Sequence, residues 1–270
     1  MKNKKIKVGV IGLGIGNLHA KAAHENPNAN LVAICDKNKR LKYLAKKYNC
    51  NFELNPRRII NNNSINLISI ASYDNYHFQQ IRDSIKKNKN VFIEKPFCQN
   101  INQYKILKNL IQKKNIYFST NFVLRNHPKF LSIKKIIKNN SIGKVYHIEG
   151  DYNYGRLHKL TKGWRGKIPF YSVTQGGGIH MIDLIIWLTN SYPEKVFAIG
   201  NKISTKNSNF KFFDNVTSII KLSNQITAKI NSNFGSVSPH DHQMRIFGTK
   251  GSIFLSQNEL RVIKSRNPKI

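Results

Sequence analysis

Acidic residues are scarce in this chain: 13 Asp plus Glu stand against 45 Lys plus Arg in 270 residues, a formal charge of +32. Attraction to polyanions is one consequence of such a field. Lys, Asn and Ile are, however, enriched together along the whole chain, as at Asn61 to Asn63 and in the run Lys134, Lys135, Ile136, Ile137, Lys138. The charge therefore reads as a compositional bias spread over solvated faces. No arm or helix concentrates it and no nucleic-acid motif accompanies it, so no specific nucleic-acid partner is expected. A preference for anionic small ligands, weakened by salt, is. Cysteine is sparse too. Cys35, Cys50 and Cys98 are odd in number and lack paired spacing, which argues against a disulfide framework and a zinc site; no metal is expected, and a reducing cytoplasmic setting fits. Long apolar runs are also missing: nothing approaches the roughly 18 apolar residues of a membrane span. The short run behind the basic N-terminus alternates with glycine and has no small-residue cleavage site, so it reads as a first strand rather than an export signal. A soluble protein with no membrane partner is expected, with 40% apolar residues and enough length for two modest domains.

What is present alternates. Residues 6–12 are apolar and β-branched and end in glycines, as a buried parallel strand does. A helix over 16–26 follows, closed by Pro27. Further strands are predicted at 31–35, 67–71, 91–93 and 116–119, with helices at 39–48, 78–87 and 102–113 between them. Strand and helix in alternation predict a parallel sheet covered on both faces, a dinucleotide-binding domain over 1–120. From 121 to 270 the pattern changes. Helices at 129–139 and 179–188 are joined by strands at 144–153, 195–200, 215–222, 227–234, 242–248 and 251–256 that alternate apolar and polar residues between turn signals. The fold class is thus α/β: a Rossmann domain followed by an α+β domain on an open, mostly antiparallel sheet.

Gly12, Gly14 and Gly16 lie between the first strand and the first helix. There a pyrophosphate would rest on backbone N–H groups, Ile15 included, at the positive helix end, and side chains would block its approach. The spacing is one residue shorter than G-x-G-x-x-G, so the motif alone is weak. Asp36, at the end of the second strand and about 20 residues on, supplies the usual context: its carboxylate would accept from the ribose hydroxyls and repel a 2′-phosphate. NAD is therefore favoured over NADP, with Lys37 and Arg40 nearby softening the choice and Arg40 placed among the cofactor contacts. The bland alternative is a glycine turn with a surface aspartate. Glu94-Lys95-Pro96 follows the fourth strand, at the carboxyl edge of the sheet where ligands bind. Lys95, beside a carboxylate and held by a proline, could present its ammonium to a substrate hydroxyl and the nicotinamide; the alternative is a salt-bridged surface turn.

Together these residues, with His19, Tyr76-His77, Gly143-Lys144-Val145, Trp164-Arg165 and the segment Gly176-Gly177-Gly178-Ile179-His180-Met181-Ile182-Asp183, resemble the glucose-fructose oxidoreductase, inositol dehydrogenase and rhizopine catabolism (Gfo/Idh/MocA) family over nearly the whole chain. The resemblance implies an NAD(P)-dependent oxidoreductase acting on a secondary alcohol of a sugar, nucleotide sugar or polyol, an anionic one being favoured by the field. It implies that Lys95 contacts cofactor and substrate and that His180 is a general acid/base, a role that histidine, whose ordinary pKa is near neutral, suits. Ser72, His77 and Glu94 join the expected cofactor contacts; Arg125, Tyr152, Trp164 and Arg165 join the expected substrate contacts. It also implies a homodimer or homotetramer formed through the C-terminal sheet. One departure is visible. Many members have an aspartate four residues before the histidine, where this chain has Gly176, so either Lys95 and His180 act with Asp183 orienting His180 from behind, as a third member of the catalytic set, or another group supplies the carboxylate. A nicotinamide-binding regulator or scaffold without turnover is the alternative function, and His180 as a satisfied core histidine the alternative for that residue.

Overall fold

The computed structural model describes residues 5–267. The chain divides into two compact units, Met1–Asn121 and Phe122–Ile270.

The first unit is built on β1 (Ile6–Ile11), β2 (Ala29–Cys35), β3 (Asn51–Glu53), β4 (Leu67–Ile70), β5 (Asn90–Glu94) and β6 (Phe118–Asn121), connected through α1 (Gly16–Glu25), α2 (Tyr43–Lys47), α3 (Pro56–Ile60), α4 (Asp74–Lys86) and α5 (Ile101–Gln112). All pairs are parallel, in the order β3-β2-β1-β4-β5-β6. This is the doubly wound order whose reversal point lies between β1 and β4, and the crevice beyond their carboxyl ends is where such sheets take ligands. Both faces are covered, so the strands bury continuous apolar runs: Val10, Ile34, Ile68, Ile70 and Ile93 are all 0% exposed. Two elements of this unit show no period in the sequence. β3 has three residues, two of them polar, and α3 five, too few for either period to show.

The second unit contains α6 (Pro128–Lys138), α7 (His158–Thr161), α8 (Ile179–Thr189) and a seven-stranded sheet of β7 (Val145–Asn153), β8 (Pro193–Asn201), β9 (Asn215–Leu222), β10 (Thr227–Asn233), β11 (Asp241–Gly248), β12 (Gly251–Leu255) and β13 (Leu260–Ile263). The order is β13-β12-β11-β7-β10-β9-β8. Neighbours run antiparallel except β7 and β10, which are parallel. The strand expected at 144–153 therefore has one partner of each sense. α8 packs against β7, and Ile148, Met181, Leu184, Ile230 and Ile246 form a core between helix and sheet. α8 is entered through one π-helical turn, Thr174–Gly178, which carries the glycine run. Among the described residues no helix is long and apolar enough to cross a membrane, and no group of three His, Cys, Asp or Glu is placed to hold a metal.

Candidate functional site

In the first unit the glycine turn sits at the reversal point. Gly12 donates its N–H to Cys35 C=O at 2.8 Å, and Ala71 N–H donates to Ile11 C=O at 2.7 Å, so the turn is stitched to the ends of both β2 and β4. Gly12 has φ +87°, and a Cβ there would lie 2.6 Å from the backbone of Ala71 and Ser72; only glycine fits. Gly16 closes against Ala71, whose Cβ is 2.9 Å from where its own would be. Gly14 differs: a Cβ there meets nothing within 4 Å. The turn is thus tight against protein at Gly12 and Gly16 and open at Gly14. The first turn of α1 has no side-chain cap and no acidic residue, which leaves its N–H groups and positive end for an anion. Asp36 accepts from Leu13 N–H (2.7 Å, Oδ2) and Asn38 N–H (2.8 Å, Oδ1). Each oxygen keeps a second lone pair for a ribose hydroxyl. These features fit a dinucleotide pyrophosphate and its adenosine ribose. Lys37, one of the two cations near Asp36, is held on Tyr76, with Nζ 3.0 Å from the hydroxyl and 4.3 Å from the ring centre. Arg40 is exposed in the 3₁₀ turn Lys39–Lys42.

Behind the turn, Ser72, His77 and Glu94, expected among the cofactor contacts, make hydrogen bonds within the unit. Ser72 Oγ donates to Gln80 Oε1 (2.7 Å). His77 is 0% exposed, with Nδ1 2.7 Å from Pro96 C=O and Nε2 3.0 Å from Ser72 C=O. Its ring ties the β4 end to the Glu94-Lys95-Pro96 corner, where the Lys95-Pro96 peptide is cis. The Glu94 side chain is likewise turned inward. Its Oε1 lies 3.0 Å from His19 Nε2 and 2.6 Å from Asn121 Nδ2, while His19 Nδ1 lies 2.8 Å from Ser69 Oγ. A carboxylate only accepts, so His19 Nε2 carries the proton and Nδ1 faces the serine hydroxyl. Burial alone would raise the Glu94 pKa, but hydrogen bonds from His19 and Asn121, with the charges of His19 and Lys95, bring it below its usual value. Glu94 is thus an anion that helps fix the segment bearing Lys95.

In the second unit His180 is 8% exposed on the first turn of α8, stacked on Tyr152 (ring centres 6.0 Å, 18°) and edge-on to Phe122 (6.3 Å, 86°). Its Nδ1 is fully buried. Asp183 accepts from Arg125 at both oxygens, Nε to Oδ2 at 2.8 Å and Nη2 to Oδ1 at 2.6 Å, which raises the Arg125 pKa. Tyr152, 4% exposed, lies in a ring stack with Tyr154, Phe234 and His180, and burial pushes its pKa up. Trp164 stands edge-on to Tyr171 (6.1 Å), and the Arg165 guanidinium lies 4.7 Å over the Trp164 ring with Nε donating to the Tyr171 hydroxyl at 3.0 Å. Gly176 is explained by the same group: a Cβ on residue 176 would fall on that hydroxyl. Tyr171 carried no motif, and only the fold brings it back over the glycine run.

Residues 6–122 match the oxidoreductase family with an NAD-binding Rossmann fold, Gfo/Idh/MocA, and residues 130–254 match the Gfo/Idh/MocA C-terminal domain. The chain is 24% identical over 259 residues to myo-inositol 2-dehydrogenase of Thermotoga maritima, covering 92% of this chain and 75% of that protein. It is 22% identical over 266 residues to scyllo-inositol 2-dehydrogenase (NAD(+)) of Bacillus subtilis, covering 93% and 74%. Its fold matches that of a levoglucosan dehydrogenase in complex with NADH and levoglucosan, with TM-score 0.87 at 22% identity, covering 98% of this chain and 78% of the other.

Proposed function

The chain belongs to the Gfo/Idh/MocA family of NAD-binding oxidoreductases, and from that premise we propose that it oxidises a secondary alcohol of a sugar or polyol with NAD. The observation that carries the proposal is the glycine turn: closed against protein at Gly12 and Gly16, open at Gly14, and flanked by the Asp36 carboxylate. Bound NAD supplies the hydride acceptor. Lys95 holds the reacting hydroxyl and stabilises charge developing on its oxygen. His180 takes the hydroxyl proton; with Nδ1 buried, Nε2 is the nitrogen that receives it. The carbinol C–H bond breaks as hydride leaves, the O–H bond breaks to His180, and the alcohol becomes a ketone. Asp36 favours NAD over NADP because its charge repels a 2′-phosphate. We assign Tyr152 a supporting role, as the ring against which the imidazole lies, and assembly of copies through the C-terminal sheet completes the reading.

Reduction of NAD followed at the nicotinamide absorbance, across inositols and sugars, tests it. Turnover is expected, and Lys95→Ala and His180→Ala should each lower kcat by on the order of 10²–10⁴. Full activity in both variants would show the assignment of roles to be wrong. A second reading, a regulator that binds NAD(H) without turnover, is favoured by the lack of a carboxylate at Gly176; it predicts NADH binding with no absorbance change for any polyol.

A further inference from the structure

β2 and β4 leave the parallel sheet on either side of β1, whose exit carries the glycine turn. Neighbouring strands stand about 4.8 Å apart, so the two flanking exits face each other across roughly 10 Å. Two long side chains cross that gap. Lys37, two residues beyond β2, reaches Tyr76 in the first turn of α4: its Nζ donates to the phenol oxygen at 3.0 Å and lies 4.3 Å from the ring centre. The contact therefore joins the β2 side to the β4 side over the place where β1 ends. That hydrogen bond, and then the Lys37 charge, lower the Tyr76 pKa.

The fold does not need this bond. Lys37 is exposed and Tyr76 is 37% exposed, so the bond satisfies no buried polar atom. The next residue, His77, is wholly buried and fastens the start of α4 to Ser72 and Pro96. Tyr76 is left on the outside of the same turn. Asp36, beside Lys37, faces the cofactor: its oxygens accept from Leu13 and Asn38 N–H and keep lone pairs for the adenosine ribose. With the pyrophosphate on the glycine turn and the ribose at Asp36, the base is carried into the gap between the two exits. An adenine has flat π faces that suit an ammonium and a phenol ring.

We infer that Lys37 and Tyr76 form a clasp over the adenosine end of the cofactor crevice, two positioning residues whose contact parts when NAD leaves. The inference rests on the NAD site described above. The strength of the contact adds to the barrier for release, so losing either partner speeds release alike and losing both speeds it no further. To test it, release of NADH from the full chain is followed by stopped-flow fluorescence on displacement with excess NAD. Lys37→Met and Tyr76→Leu should each quicken release by about two- to fivefold, the scale of one exposed cation–π contact, and the double variant by no more than either alone. Lys37→Arg, which keeps a cation for the ring, should release close to the parent rate, and Tyr76→Phe, which keeps the ring without the hydroxyl, should fall between parent and Tyr76→Leu. Affinity of Lys37→Met for ADP-ribose, which lacks the nicotinamide, should weaken by the same factor, with thermal unfolding unmoved. Should Tyr76→Leu fold poorly, Lys37→Met and Tyr76→Phe decide. Release at the parent rate in Lys37→Met, single effects that multiply in the double variant, or an unchanged affinity for ADP-ribose overturns the clasp and leaves the NAD site intact. A parent chain that binds no NADH defeats the NAD reading itself, and the clasp with it.

Discussion

Single residues around the glycine turn separate folding from binding. Gly12→Ala forces a side chain to φ +87° and against the Ala71 and Ser72 backbone at 2.6 Å, so it should lower stability by about 1–3 kcal/mol and cofactor affinity with it. Gly14→Ala places a methyl in open space; thermal unfolding should be unchanged while NAD affinity, read by fluorescence titration of NADH, falls. Equal affinity in Gly14→Ala and the parent would deny that the pyrophosphate lies there. A second residue controls the response to acid. His242 has its pKa pushed down to about 4, by burial first and then by the charge of His240, whose ring is 4.6 Å away, with His127 adding and Asp241 opposing. Because the folded value lies below the ordinary 6.5, the unfolded chain takes the proton first. The stability His242 contributes is therefore whole above about pH 6.5, declines as pH falls toward about 4, and is flat below. In His242→Asn, urea unfolding at several pH values should show that slope reduced; an unaltered slope would assign it to other groups.

Between elements, two polar ties hold residues the sequence marked for chemistry. Arg125, in the 3₁₀ turn Val123–Asn126, grips Asp183 on α8, whose side chain is 8% exposed. Arg125→Met strands that carboxylate, and urea unfolding should register a loss of about 1–3 kcal/mol; Arg125→Met paired with Asp183→Leu should recover part of it. The Glu94 tie joins α1, β4, β5 and β6 through His19, Ser69 and Asn121. Its depressed pKa means that the stability it gives is present above the usual carboxylate range and is lost as pH falls through the folded value. Asn121→Ala removes one donor, so the acid unfolding midpoint should move to higher pH. Most of these elements were legible in the chain because apolar spacing reports period: 2 in β9 and β10, 3.6 in α5 and α6. Period does not report strand direction, so the parallel pairing of β7 with β10 was invisible, and three residues of β3 are too few to show one. The glycines, Asp36, Lys95 and His180 stand out as candidates because each belongs to a motif. Which carboxylate meets which cation was not readable, since Asp183 lies three residues from His180 in sequence yet its oxygens are claimed by a turn some sixty residues earlier. Tyr171 was hidden for the same reason: its place over Gly176 depends on how a loop returns, and no local pattern encodes that.

Across the second unit as a whole, the sheet covers one face with α8 and leaves the other open. Phe197 on β8 is paired with Ile219 on β9, and both are exposed, at 64% and 57%; Ile199, two residues along β8 on the same side, is 65% exposed. The same row continues through Lys229, Glu149 and Arg245, where Glu149 accepts from Arg245 at 3.4 Å. The open face is thus apolar toward the β8 edge and charged at its centre. A contiguous apolar patch beside an unpaired edge strand favours a second copy, whereas a formal charge of +32 on each chain opposes it. The two effects respond oppositely to salt: screening removes the repulsion and leaves the apolar contact intact. Light scattering behind size exclusion should therefore show association that strengthens from low to high salt, the reverse of a complex held by ion pairs. Phe197→Glu, which puts a charge in the middle of the patch, should leave a monomer at every salt concentration with its thermal unfolding little changed. A parent chain that stays monomeric at high salt, or a Phe197→Glu variant that still associates, would place the contact elsewhere or remove it.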